Sequence, residues 1–501
     1  MAGAVCVPIA LVLAALVSPL LTLLALFPLV VYEAPVLGLR EKASQRKEGV
    51  ERELPFFSIL ANVLGGAGVP LYETFAGVAD DGAFRAMKRE AQIVRRDVEV
   101  FGMNAVDSFE RLADRHPSKK FSNFLTGYTS KVRSGGDIPS YLLGESGSLL
   151  RELEDGWTRY SARVGVIGSL MVTVFGVVPL LLLVVGFFSP GTSVSGLTAF
   201  ALAGVPTMSV ALVYMAGSMQ PVGDEPLKGD WKVALLTSAV GLAAGLVLGG
   251  AWLGAALSSG AFFVAYGLSV RGQMRVMRET DDALPRFLKD MLEFKRQEHD
   301  IGRSLMSVAA QNRYAPAFDS LLTGLAAKLR YGVPLDEAKV EVKTGLGKVV
   351  FFVLGQMGRS GGGSVETMFQ LSEYTSRTTE MKKNGQAEVK PYLVLSFFTP
   401  LLLAFGVAFV GSVLSSFGSV LHGGVLPGEA GLPGGKVTPQ LAQAADLLIA
   451  TSAAGLGVVG AKISDLTARN TLRASVNVGL ATVAVLVAPA LGTLSVLHAS
   501  L

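Results

Sequence analysis

"VALLTSAVGLAAGLVLGGAWLGAALSSGAFFVAYGLSV", residues 233–270, runs for 38 residues without a charge. At about 1.5 Å of rise per residue a single helix of that length would be nearly twice as long as a bilayer's hydrocarbon core is thick, about 30 Å. The stretch therefore reads as two membrane helices that turn near Gly250 to Gly260. That choice decides the topology. One helix here would put the charged segments before and after it on opposite faces of a membrane; two helices return the chain to the same face.

Composition agrees with a lipid environment. Half of the 501 residues are hydrophobic, 17% are charged, and the mean hydropathy is +0.47. The 58 glycines are spread through the apolar segments, as close helix packing in lipid requires. Cys6 has no partner for an internal disulfide. His116, His299, His422 and His498 lack ligand spacing, so no metal and no cofactor is expected.

Further apolar runs of membrane-spanning length occur at 4–31, 164–188, 197–219, 391–416, 440–461 and 474–496, which makes about eight crossings. The first reads as an anchor with its N-terminus outside rather than a cleavable signal, because its basic flank (Arg40, Lys42, Arg46, Lys47) follows it. Of 44 Lys and Arg, 19 fall in 32–163 and 19 in 271–390. By the positive-inside rule both segments are expected in the cytoplasm of a cell-membrane protein. The fold class is thus all-α and polytopic, in five parts: a membrane helix at 1–31, a first cytoplasmic helical domain at 32–163, membrane helices two to five at 164–270, a second cytoplasmic domain at 271–390, and membrane helices six to eight at 391–501. Tyr32, Trp157, Tyr160, Trp231 and Tyr392 are expected to form an interfacial belt.

The two charged segments are copies. "ELPFF" (53–57) matches "ALPRF" (283–287), "FGMNAVDSF" (101–109) matches "YGVPLDEAK" (331–339), and "RSGG" occurs at 133 and 359. Pro55 to Gly102 and Pro285 to Gly332 are both 47 residues, and each copy runs into a membrane helix with Pro-Leu-Leu-Leu, at 179–182 and 400–403. A rival local match, "LTGYTSKVRSG" at 125 with "LTGLAAKLRYG" at 322, breaks the other anchors. Pro55 and Pro285 are expected in first helical turns behind the acids Glu53, Asp281 and Asp282. Gly102 and Gly332 should each end one helix and start another. The RSGG stretches should turn the chain into a helix that carries Leu142, Leu149, Leu150, Leu153 and Trp157 toward the membrane.

The duplicated domain with its Leu-Pro start, the "GVPLDEA" turn (Gly332 to Ala338) and the late RSGG corner, each copy feeding into membrane helices, resembles the type II secretion system F family over residues 40 to 410. The long form is most similar to the archaeal branch that serves the archaellum and adhesive pili; a bacterial type II secretion or tight-adherence platform is the neighbouring alternative. The resemblance implies a non-enzymatic platform that links a cytoplasmic hexameric secretion ATPase to pilin or archaellin subunits in the membrane.

The chain supplies no engine of its own. No GxxxxGK[ST] loop is present; Gly434-Gly435-Lys436-Val437-Thr438 lacks the first glycine. RSGG as a phosphate nest lacks a preceding strand, so a helix corner is the plainer reading. The carboxylate pairs Asp80-Asp81 and Asp281-Asp282 are explained by helix starts. A transporter is the rival from another class, but its repeat would consist of membrane helices, and Asp446 is the one ionisable candidate in a crossing. Nucleic acid is not an expected partner, since no basic stripe with stacking aromatics occurs. Candidate ATPase-docking residues are Arg133, Gly135 and Gly136 at the first corner, Arg359, Gly361 and Gly362 at the second, and the clusters Lys119-Lys120 and Lys382-Lys383. Gly241, Gly245 and Gly249 form a small-residue seam, read either as internal packing or as a homodimer or pilin contact.

Overall fold

In the computed structural model the described residues are 19–80, 83–188, 190–220, 227–338, 342–359, 364–423 and 439–499, and among them the regular structure is entirely helical. The decisive stretch divides as its length demands. Helix α10 (Trp231–Gly249) and helix α11 (Ala251–Arg296) are separated by Gly250, whose φ of 86° is open to glycine at little cost. Among the described residues six helices are long and apolar enough to cross a membrane, and Leu472–Val487 is a shorter apolar helix. The protein is a multi-pass membrane protein. Eight is not the number counted, and most of the first expected crossing (4–31) falls on residues 1–18, outside the described residues.

The first copy is built from α1 (Pro19–Gly66), α2 (Leu71–Asp80), α3 (Ala86–Glu99), α4 (Ala105–Arg115) and α5 (Lys119–Ser134). The second is built from the end of α11, then α12 (Ile301–Gln311), α13 (Pro316–Arg330) and α14 (Gly345–Arg359). Backbone and core follow one register. Left-handed residues occur at Gly68 and Gly102 in one copy and at Glu298 and Gly332 in the other, each pair 230 positions apart, as are Pro55 and Pro285. Phe57 meets Phe84 edge-on with centroids 6.3 Å apart at 83°, and their counterparts Phe287 and Tyr314 meet at 6.2 Å and 83°. The rival match at 125 and 322 would set none of these opposite each other.

The prolines do not start helices. Pro55 lies deep inside α1, and Pro285 lies inside α11. An interior proline costs about 3 kcal/mol. Burial of Leu54, Phe57, Leu60 and Val63 in one copy, and of Leu284, Phe287, Leu288 and Met291 in the other, offsets that cost at about 1.5–3 kcal/mol per side chain. The acids serve other helices. The Glu53 carboxylate accepts the N–H groups of Arg85, Ala86 and Met87 at the start of α3, satisfying orphan donors from outside that helix. Glu279 accepts Ala317 N–H at the start of α13 in the same manner. Asp80 closes α2 rather than starting a helix and pairs with Arg95, while Asp81 lies outside the described residues.

After the left-handed glycine the copies diverge. Asn104 Oδ1 accepts Val106 N–H and caps α4; its counterpart is Pro334, which has no side-chain acceptor, and no helix starts until Gly345. The expected second helix after Gly332 is therefore absent from the described residues there.

By packing the chain falls into two units: Met1–Arg151 with Pro334–Glu337 and Phe351–Met368, and Glu152–Val333 with Ala338–Val350 and Phe369–Leu501. The core of the first is aromatic, with Phe57 at 4.8 Å from Phe75 and Phe75 at 5.1 Å from Phe109. Beside it lies an ion pair between the buried Glu90 and the more exposed Arg46. Arg46 donates from Nε and Nη2 to both oxygens of Glu90, at 2.7 and 2.5 Å, and His116 Nε2 stands 3.7 Å from the same carboxylate. Burial opposes ionisation of Glu90, but the hydrogen bonds from Arg46, with His116 close by, outweigh it and hold its pKa below the ordinary value. In the second unit α17 (Pro439–Asp465), rich in Ala and Gly, is largely buried among its neighbours.

Candidate functional site: the helix corners and the exit helices

The last helix of each copy is followed by a long helix. In the first, α5 stops at Gly135, whose φ of 66° lets its N–H reach the carbonyls of Lys131 and Val132; Gly136 N–H then bonds Lys131 O at 2.9 Å. Asp137 caps the next helix, α6 (Ile138–Val172), by accepting Ser140 N–H. The corner is a helix stop followed by a helix start, with backbone groups satisfied internally, which is not the geometry of a phosphate nest. In the second copy Arg359 ends α14, residues 360–363 lie outside the described residues, and Ser364 Oγ accepts Thr367 N–H to cap α15 (Val365–Ala387).

From these caps α6 passes through a π-turn (Thr173–Val177) into α7 (Val178–Phe188), and α15 is followed within three residues by α16 (Lys390–Gly423). The π-turn sits just ahead of Pro179, where a regular ladder would lack a donor. In the fold, α6 buries Leu142, Leu149, Leu153 and Trp157; Leu150 is half-buried.

These two exit helices pack side by side and parallel. Arg377 Nη1 lies 3.8 Å from Glu154; Gly385 faces Trp157 and Ser161; the Tyr392 ring lies over Gly165 and Gly168; Gly176 faces Thr399; Gly406 faces Leu180. Leu180 and Gly406 are 226 positions apart, the spacing of Arg133 and Arg359, and the other facing residues deviate by three or fewer. Helices equivalent in the two copies thus run in register. Near its polar end α15 has Ser372, Thr375, Thr378 and Thr379 buried; farther along the pair, glycines admit Tyr392 and Leu180.

Trp157 and Tyr160 belong to this contact, 4% and 2% exposed, rather than to an interfacial belt. Their rings pack edge-on at 5.7 Å. Trp231 is exposed as a belt residue would be, and Tyr392 is half-buried on the α6 glycines.

The basic candidates are differently situated. Arg133 makes a two-pronged bond to Glu110, at 2.8 and 2.9 Å, and a third bond of 2.8 Å to Asp107, which ties α5 to α4. The hydrogen bond from Arg133 holds Glu110 below the usual carboxylate range. Lys382 pairs with Asp281 at 2.8 Å and Lys383 with Asp282 at 2.7 Å, so this cluster meets the acidic pair of α11. That also corrects the reading of Asp281 and Asp282 as helix-start acids. Lys119 and Lys120 are exposed in the first turn of α5, behind the Ser118 cap. Arg359 is exposed; Gly361 and Gly362 lie outside the described residues.

The glycine seam is internal. A Cβ on Gly241 would come within 2.6 Å of Leu257 O, and one on Gly245 within 2.4 Å of Gly254 Cα. Gly249 closes α10 at the turn. The face of α10 that carries Gly241 and Gly245 is occupied by α11, so a homodimer or pilin seam at those two residues is overturned.

Sequence reasoning missed the caps Asp137 and Ser364, although Asp-Ile-Pro and Ser-Val-Glu-Thr are start signals of a known kind. It placed Tyr392 in an interfacial belt rather than on the α6 glycines, which lie more than 200 positions away and carry no local signal.

The family described as type II secretion system (T2SS), protein F matches residues 56–186 and 287–411, just over half of the chain and once per copy. The chain belongs to that family, whose members are membrane platform proteins, generally without catalytic activity, of secretion and pilus-type machinery. An uncharacterized protein of Methanocaldococcus jannaschii is 21% identical over 444 residues, covering 76% of this chain and 72% of that one. No solved structure matches.

Proposed function

We propose that this member of the secretion-system F family is the assembly platform of an archaeal type IV pilus-like filament, an archaellum or an adhesive pilus. Both helical copies lie in the cytoplasm, where they engage a hexameric secretion ATPase, and the membrane helices receive pilin or archaellin subunits. The observation that carries this reading is the in-register pair of exit helices, α6–α7 with α15–α16, which leads from the corner of each copy into the membrane. A parallel pair packed on glycines moves as one body, because sliding by a residue would drive Tyr392 into the α6 backbone. Displacement of the copies by the ATPase is thereby delivered to the membrane helices. The archaeal assignment is supported by the relative in Methanocaldococcus jannaschii and by the long, twice-repeated layout.

The test is co-purification of the full chain from mildly solubilised membranes with the secretion ATPase encoded nearest to it. Recovery of the ATPase with the wild-type chain, lost when the first copy's corner is disrupted by Gly135→Val, is the expected result. An ATPase that never accompanies the chain, together with solute flux through the purified protein in vesicles, would replace this reading with transport.

A further inference from the structure

Two aromatic rings stand outside the packing described so far. Phe101 is 60% exposed and Tyr331 is 89% exposed. They occupy the same position in the two copies, 230 residues apart, immediately before the left-handed glycines Gly102 and Gly332. The stretches around them differ at most positions, "FGMNAVDSF" against "YGVPLDEAK", yet both place an aromatic residue before the glycine. The helix stop itself requires only the glycine. An exposed ring gains none of the burial that stabilises an aromatic side chain, and exposed aromatics mark interfaces more than any other apolar residue.

Chemistry around the rings narrows the partner. Arg96 holds its guanidinium 5.5 Å over the Phe101 ring, and Val100 beside it is exposed as well. Arg330, also exposed, is the neighbour of Tyr331. Each copy thus presents an aromatic ring accompanied by an arginine, which complements an apolar recess with a carboxylate rim. Presenting the same knob twice suits a partner that offers the same recess more than once, as an oligomer of identical subunits does.

We infer that Phe101 and Tyr331 are a pair of docking knobs that enter equivalent acidic-rimmed recesses on two subunits of an oligomeric cytoplasmic protein. Resting on the function proposed above, that protein is the secretion ATPase. Two weak contacts on one chain raise each other's effective concentration, so removal of both rings costs far more than removal of either.

The experiment uses the full-length chain in lipid nanodiscs and the purified ATPase oligomer, with affinity measured for wild type, Phe101→Ala, Tyr331→Ala and the double variant. Each single change is expected to raise Kd about tenfold and the double change at least a hundredfold, while Phe101→Tyr and Tyr331→Phe retain binding. Unfolding temperatures should not move, since both rings are exposed. A double variant that binds like wild type would overturn the knobs and leave the platform reading standing. A wild-type chain that binds no ATPase would overturn both. Loss of binding to protein-free anionic vesicles, or a change in the chain's own oligomeric state, with ATPase affinity unchanged would assign the rings to lipid or to self-association instead.

Discussion

Gly168 is where the pairing of the exit helices is most sharply testable. A Cβ built there lies 2.5, 2.7 and 2.8 Å from three atoms of the Tyr392 ring, so the ring must retreat by about 1 Å to reach ordinary contact near 3.5 Å. Two effects oppose each other in Gly168→Ala. Helix propensity favours alanine by about 1 kcal/mol, whereas overpacking a formed contact costs about 1–3 kcal/mol. The net expectation is a loss of up to about 2 kcal/mol in the wild-type background. With Tyr392→Ala already present the clash is gone and the same substitution should stabilise by about 1 kcal/mol. Gly479→Ala is the control, because a Cβ there meets nothing within 4 Å, and it too should stabilise. Thermal unfolding in detergent, followed by Trp fluorescence, reads wild type, both single variants, the double variant and the Gly479→Ala control, with buried Trp157 reporting on the pair itself. A double-mutant cycle with no coupling, or a gain from Gly168→Ala alone, would refute the packed pair.

Other outcomes follow from the same geometry. Gly245→Leu should separate α10 from α11 and unfold the hairpin, since its Cβ would fall 2.4 Å from backbone atoms that have no rotamer to adopt; loss of monodisperse protein in size-exclusion chromatography is the readout. Arg46→Met leaves the buried Glu90 without its main partner; with Arg46 itself 40% exposed, the expected cost is about 1–3 kcal/mol in chemical denaturation, and Arg46→Met with Glu90→Leu recovers most of it. Because the folded-state pKa of Glu90 is depressed, its contribution is present above the unfolded carboxylate value of about 4.3 and is lost as pH falls through the lower folded value; wild type should therefore lose stability more steeply below pH about 4 than Glu90→Gln does. Asn104→Ala should cost about 1 kcal/mol by removing the α4 cap, and a denaturation midpoint that does not move would contradict that assignment.

The membrane class and the split of residues 233–270 were legible because helix rise and bilayer thickness are fixed quantities that no tertiary context alters. The duplication was legible from three anchors, and the backbone repeats it in the paired left-handed residues. Pro55 and Pro285 misled because a propensity rule describes an isolated helix: with the stripe after each proline buried, the helix continues through it, and Glu53 is released to cap α3. Lys382 and Lys383 looked like free surface charge because Asp281 and Asp282, about 100 positions earlier, carry no local sign of reaching them. Trp157 and Tyr160 matched a membrane belt in composition and hydropathy, but Trp157 packs on Gly385 of α15, more than 200 positions away, and Tyr160 packs on Trp157.

The function proposed above has the paired exit helices pass force from a cytoplasmic motor to a filament. Counting surface filaments by electron microscopy, in cells deleted for the chain and complemented with variants, tests it most directly. Wild type should restore filaments. A variant with tryptophan substitutions at both α6 glycines, Gly165→Trp and Gly168→Trp, should reach the membrane and still bind the ATPase yet assemble none. Normal filament numbers in the deletion strain, or in that variant, would contradict the claim.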